Sequence, residues 1–176
     1  MALPQEIEYT VADIKALPDG QRAELIDGQL YMMAPPSVQH QRIASRIFRR
    51  IADYIDSQGG NCEPFIAPCG VFVYDDESSY FEPDVFVVCD PSKVHEDGIH
   101  GAPDWIIEIV SPSSTRADYA LKLFEYRSAG VRLYWIVAPS KKTVLVHDFE
   151  NRDSALYSFG ESIPVAIYPG FSLSIE

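Results

Sequence analysis

The chain has 176 residues, of which 47% are apolar, enough to bury one core without disulfides or a structural metal. Its formal charge of -12 at pH 7 repels polyanions at long range, which excludes nucleic-acid coating through bulk positive charge while leaving room for a local basic patch. The opening MALPQEIEYT has neither a basic n-region nor an apolar h-region, and no apolar run reaches membrane-spanning length, so one cytoplasmic domain over residues 1–176 is expected, with no membrane segment.

Thr10 followed by Asp13 has the pattern of a helix N-cap and predicts a short helix over 11–17, ended by Pro18-Asp19-Gly20. Residues 23–26 and 29–33 read as strands around Asp27-Gly28, the strongest hairpin signal in the chain. After Pro35-Pro36, Ser37 is placed to cap a long helix in which Ile43, Ile47, Phe48, Ile51 and Ile55 recur at the helical period until Gly59-Gly60. Strand composition returns at 63–67 and 70–74, and the near-continuous apolar runs at 85–88 and 105–110 suit central strands covered on both faces. Between those runs, residues 89–103 are rich in Asp, Gly, His and Pro and predict an exposed loop able to move.

Thr115 and Asp118 start a second helix whose apolar face is read as Ala117, Ala120, Leu121 and Phe124, and which stops at Gly130. Strands at 133–137 and 143–149 form a hairpin across Pro139-Ser140-Lys141-Lys142, and short strands at 155–159, 163–167 and 171–175 complete the chain. The order of elements is that of a mixed α/β (α+β) domain. Cys62, Cys69 and Cys89 are odd in number and form no C-x-x-C pair, so reduced, mostly buried thiols are expected, without a bridge or a zinc knuckle.

The informative residues are those that break the pattern. Glu108 sits within Trp105-Ile106-Ile107-Glu108-Ile109-Val110, where an ionised carboxylate costs several kcal/mol unless a cation or donors satisfy it. Asp84 follows Pro83 at the mouth of another apolar run. Two carboxylates at adjacent strand ends make a site for a hard divalent cation, with the backbone carbonyl of Ile109 close enough to be a further ligand. An ion pair between Glu108 and a core Arg or Lys is the plain alternative. Lys122, on the border of the second helix's apolar face, is placed to reach back over Glu108 and to orient an attacking water, or else to pair with Asp118 on the solvent side.

These residues resemble the PD-(D/E)xK restriction-endonuclease-like superfamily, and more closely its Uma-two family. The resemblance lies in AELIDGQLYMMAPPSVQHQRI (23–43), FEPDVFVV (81–88), PDWIIEIVSPSSTRADYALKLFEYRSAGVRLYWIV (103–137) and YPGFSLSI (168–175), in order over nearly the whole chain. It implies a mixed sheet flanked by helices, extra antiparallel hairpins, and Asp84 and Glu108 as metal ligands. The superfamily lysine is missing two residues after Glu108, where Val110 stands, and Lys122 on the following helix takes the matching place. The family also points to Glu24 as a further acid near the metal and to His40 as a phosphate contact or auxiliary acid or base. From local sequence, Glu24 is an ordinary hairpin residue and His40 a helix-start surface residue.

The function expected from this reading is an endodeoxyribonuclease in which Mg²⁺ or Mn²⁺ on Asp84 and Glu108, with Lys122, activates water against a DNA phosphodiester, leaving a 5'-phosphate and a 3'-hydroxyl. Arg42, Arg46, Arg49 and Arg50 fall on one stripe opposite the isoleucines of the long helix and offer a nucleic-acid footprint, or simply a solvated face. The alternative is a catalytically weak or inactive module, alone or as a homo-oligomer, that keeps the fold to bind DNA or a protein partner. A small-molecule metal hydrolase is a third reading, without an inferable pocket. Ser111, Ser113 and Ser114 lack a G-x-S-x-G elbow and read as turn and cap chemistry, and His95 and His100 have no ligand spacing.

Overall fold

The structure, a computed structural model, describes residues 8–111 and 116–176, with the side chains of 116–118 outside the description. In chain order it contains α1 (Val11–Lys15), β1 (Ala23–Ile26), β2 (Gln29–Met32), α2 (Val38–Gln58), β3 (Glu63–Ile66), β4 (Val71–Phe72), β5 (Val85–Val88), β6 (Val94–His95), β7 (Gly98–His100) and β8 (Trp105–Ile109). There follow α3 (Arg116–Ala129), β9 (Leu133–Ala138), β10 (Thr143–Asp148), β11 (Asp153–Ser158), β12 (Ile163–Pro164) and β13 (Ser172–Leu173). The main sheet has six strands in the order β11-β10-β9-β8-β5-β3. Its pairs are antiparallel except β8 with β9, which run parallel and are joined by α3 as the crossover.

Local chemistry accounts for the sharpest elements. Asp27 and Gly28 take φ of 48° and 72°, the left-handed pair a two-residue hairpin demands, and Ile26 then pairs with Gln29. Ser37 caps α2 by accepting the His40 N–H at 3.1 Å. The stripe Ile43, Ile47, Ile51 and Ile55 packs on one face of the sheet against Val85, Val87, Trp105, Ile107 and Trp135. Alternation along the same strands sends Phe86, Ile106, Tyr134 and Ile136 to the opposite face, where Tyr126 of α3 covers them. Runs such as Val85–Val88 are apolar throughout because both faces are covered.

Three expectations are corrected. The apolar face read for α3 holds only in part: Leu121 packs on the core, but Ala120 is exposed and Phe124 is 65% exposed, whereas Tyr126 is fully buried and Lys122 turns inward with it. The helix must satisfy an acid beneath it, so its inner face carries polar groups. Thr115 and the side chains of Ala117 and Asp118 lie outside the described residues.

Residues 89–103 are not a simple exposed loop, because β7 pairs with both β6 and β4 in a three-stranded sheet and buries Ile99. His100, left unassigned by the sequence, ties this segment down with Nδ1 at 2.6 Å from Asp75 and Nε2 at 3.0 Å from Asp97. The cysteines are also bridged: Glu63 pairs with Val88 across β3 and β5, so Cys62 falls opposite Cys89 and the two form a disulfide with Cα atoms 3.8 Å apart. Strand register brings together two cysteines 27 residues apart, which no spacing rule detects. Cys69 remains a free thiol.

The outer strands are both guarded. β3 carries Pro64, and on β11 the N–H groups of Ser154 and Ser158 donate to the carboxylates of Asp153 and Glu161. Mass spectrometry of an unreduced digest should show one peptide joining Cys62 to Cys89, with Cys69 open to alkylation after denaturation. Truncating Ile51 to alanine, at the centre of the α2 contact, should cost about 2–5 kcal/mol in a denaturant melt.

Candidate active site

Asp84 and Glu108 come together through register. β5 and β8 pair Val85 with Ile107, and one step further places Asp84 opposite Glu108, both on the face covered by α3. Asp84 accepts the Ile109 N–H at Oδ2 (2.7 Å), and its Oδ1 lies 3.1 Å from His40 Nε2 at the start of α2. Glu108, 8% exposed, receives Lys122 Nζ at 2.9 Å and the Tyr126 hydroxyl at 2.8 Å on the same oxygen. Lys122 and Tyr126 are one turn apart on α3, so a single helical face delivers both donors.

Lys122 also straddles the carboxylate of Glu24 on β1, at 2.8 Å from Oε1 and 2.7 Å from Oε2. The Glu82 N–H steadies Glu24 Oε1 at 3.1 Å. Glu82 is itself buried, where it receives Arg22 Nε at 2.6 Å and the Tyr80 hydroxyl at 2.8 Å. The cluster opens into a cleft of about 690 Å³ whose outer wall is Tyr31 to Pro36.

The charges do not balance. Burial pushes the Glu108 carboxyl up to about 7, helped by the charges of Asp84 and Glu24 and opposed by Lys122. Burial works against the Lys122 ammonium, but Glu108 and Glu24 outweigh it and hold the lysine protonated. These two shifts point in opposite senses for the pair, and the carboxylate count reconciles them. One ammonium is shared between Glu24 and Glu108 while Asp84 adds negative charge beside Glu108, so Lys122 stays charged and Glu108 is still raised. His40 is raised by its hydrogen bond to Asp84, against burial, with the charges of Asp84 and Glu108 and a hydrogen bond to the Ile109 backbone adding to the effect.

The structure therefore brings Glu24, His40, Asp84, Glu108, Ile109 and Lys122 into one cluster. Ile109 enters it with its N–H donating to Asp84. The local readings of Glu24 as a plain hairpin residue and of His40 as a surface residue do not hold. Arg42, Arg46, Arg49 and Arg50 are exposed on α2 as expected but stay outside the cleft, and the last three border a separate hollow of about 240 Å³ beside Leu173 to Glu176. Arg22, Glu82 and Tyr126 escaped the sequence reading. The alternation Arg22-x-Glu24 on one strand and the i,i+4 step from Lys122 to Tyr126 are the signals that carry them.

In kind, the donors suit a hard divalent cation: carboxylates on neighbouring strand positions with an excess of negative charge. As the side chains stand, no three acids, histidines or cysteines among the described residues are grouped tightly enough to cage an ion. Asp84 is engaged by His40 and Ile109, and Glu108 by Lys122 and Tyr126.

The family model Uma2, described as "Putative restriction endonuclease", matches residues 11–176. The chain belongs to the Uma2 family. A Synechocystis protein described as "Uncharacterized protein slr1290" is 30% identical over 98 residues, 56% of this chain and 50% of that protein, so this Uma2 chain matches about half the relative's length. A crystal structure from Anabaena variabilis, described as "a putative nuclease belonging to DUF820", shares 22% identity over 94% of each chain with a TM-score of 0.75. The fold of this Uma2 chain is thus nuclease-like: a mixed sheet flanked by helices, with added antiparallel hairpins. Among the described residues no helix is long and apolar enough to cross a membrane.

Lys122→Met strands two buried carboxylates and should cost about 3–5 kcal/mol in denaturant melts. Glu108→Gln leaves Lys122 paired to Glu24 and keeps an acceptor for Tyr126, so its stability should stay within about 1 kcal/mol of wild type. A carboxyl whose folded pKa is raised binds a proton in the native state that the unfolded state has released. Stability should therefore fall as pH rises from 4.5 to about 7 through Glu108. His40, raised above 6.5, acts in the same direction, its contribution being complete below 6.5 and lost as pH climbs through its folded value. Melts across pH 5–8 should show this decline, with a shallower slope in Glu108→Gln.

Proposed function

We propose that this Uma2 chain is a metal-dependent endonuclease that hydrolyses DNA phosphodiester bonds, with Asp84, Glu108 and Lys122 as its working groups and Glu24 and His40 beside them. The observation that carries the reading is the pairing of Asp84 and Glu108 across β5 and β8 at the mouth of a cleft, with the Lys122 ammonium held against Glu108 and Glu24. A structural core has no use for an ammonium set between two carboxylates with a third acid beside them, since an apolar replacement of such a group is often neutral or stabilising.

Asp84 and Glu108, with the Ile109 backbone beside them, would hold Mg²⁺ or Mn²⁺. When bound, the ion supplies Lewis acidity and a water of lowered pKa. Glu24 and Glu108 fix Lys122 Nζ as a charged donor, suited to orient that water and to meet charge building on the phosphoryl oxygens. Tyr126, whose hydroxyl burial and Glu108 keep protonated, holds Glu108 in one rotamer. His40, whose hydrogen bond to Asp84 favours the imidazolium, would meet a phosphate oxygen or give a proton to the leaving oxygen. By family resemblance the products carry a 5'-phosphate and a 3'-hydroxyl. Arg42, two residues from His40, is the stripe arginine suited to meet the DNA backbone near the cleft.

A second reading, a weak or inactive nuclease-fold module that binds DNA or a protein, is favoured by the lack of a preformed three-ligand cage among the described residues. Incubating supercoiled plasmid with the purified chain and Mg²⁺, Mn²⁺ or EDTA separates the two. The enzyme reading expects nicking that EDTA stops, and a fall of about 100-fold or more in Asp84→Asn, Glu108→Gln and Lys122→Met. Cleavage indifferent to these changes, or no cleavage with either metal, sinks it.

A further inference from the structure

We propose that Arg22 is the phosphate anchor of the cleft, a role that rests on the nuclease reading only for the identity of the phosphate as a diester. Strand alternation puts Arg22, Glu24 and Ile26 on the cleft side of the first hairpin, while Ala23 and Leu25 face the other way. Arg22 belongs to the hairpin frame, because its carbonyl accepts the Met33 N–H at 2.8 Å.

One edge of its guanidinium is docked. Nε at 2.6 Å and Nη2 both meet Glu82 Oε2, and the Tyr80 hydroxyl holds the other oxygen of that buried carboxylate. A guanidinium presents five donors in a fixed fork, so fastening one edge leaves the other aimed and unspent. Nη1 has no partner among the described residues, and the side chain is 32% exposed in the cleft wall. Lys122, the other Lys or Arg lining the cleft, is taken up by Glu24 and Glu108. Arg22 is thus a cleft cation with a whole edge of donors to spare, two residues from Glu24, about 7 Å along the chain. Planar recognition of a phosphate by a pre-oriented guanidinium is what such an arrangement supplies.

Two assays on the full chain test this apart from the reading beneath it: calorimetric titration of inorganic pyrophosphate in metal-free buffer, and steady-state cleavage of a labelled oligonucleotide. Arg22→Gln should weaken pyrophosphate binding about 10- to 100-fold and raise KM by a like factor with kcat little changed. Arg22→Lys, which keeps a cation for Glu82 and hence the fold, should still lose most of that affinity because a point charge cannot use both edges.

Combining Arg22→Gln with Glu82→Gln removes both members of the pair. If Arg22 only neutralises Glu82, this double variant recovers wild-type binding and overturns the proposal, whereas an anchor leaves it impaired. Wild-type protein that does not bind pyrophosphate, or an Arg22→Gln variant with unchanged affinity and KM, also overturns it, the latter while leaving a nuclease intact. Pyrophosphate binding that depends on Arg22 in a chain that cleaves nothing keeps the anchor and discards the nuclease.

Discussion

The ammonium of Lys122 sits between Glu24 and Glu108, and three separate parts of the chain depend on it. Without a cation at that point, β1 cannot turn an acid toward the end of β8, and the inner face of α3 would have to be apolar. The hairpin, the central sheet and the crossover helix are therefore positioned partly by charge. Burial of ionised groups stabilises little by itself, so this arrangement contributes specificity of geometry more than it contributes free energy.

Two layers of polar contacts surround that ammonium. Tyr126 and the Glu82 N–H hold the carboxylates from behind, and Arg22 and Tyr80 in turn hold Glu82. On the other side of the pairing, Asp84 is oriented by the Ile109 N–H and by His40. Each acid thus has a donor that fixes its rotamer. A site of this kind loses little entropy when a phosphate or a cation arrives, because its side chains are already ordered.

Much of the frame was legible in the sequence because local chemistry decided it. Asp27-Gly28 forces its hairpin, and the isoleucine stripe of α2 finds the sheet. Glu108 was legible for the opposite reason, as a charge where the pattern demands an apolar residue. Features set by distant partners were not. The inward face of α3 follows from Glu24 and Glu108, so Phe124 is left outside although its spacing suggests a core residue. The Cys62–Cys89 pair follows from the β3–β5 register, and the short three-stranded sheet from the pairing of β4 with β7 across more than twenty residues. Arg22 and Glu82 reveal themselves only once two buried acids are known to need fixing.

The carboxylates bound along the edge strand β11 give the chain's acidity a second meaning. Asp153 and Glu161 occupy backbone donors that would otherwise offer a template to another strand, and Pro64 removes one from the opposite edge. The net charge of -12 keeps whole molecules apart at long range, while these contacts deny a close neighbour the strand edge. Acidity thus guards the sheet at two distances, and high salt, which screens only the long-range repulsion, leaves the shielded edges as the remaining protection against edge-to-edge aggregation.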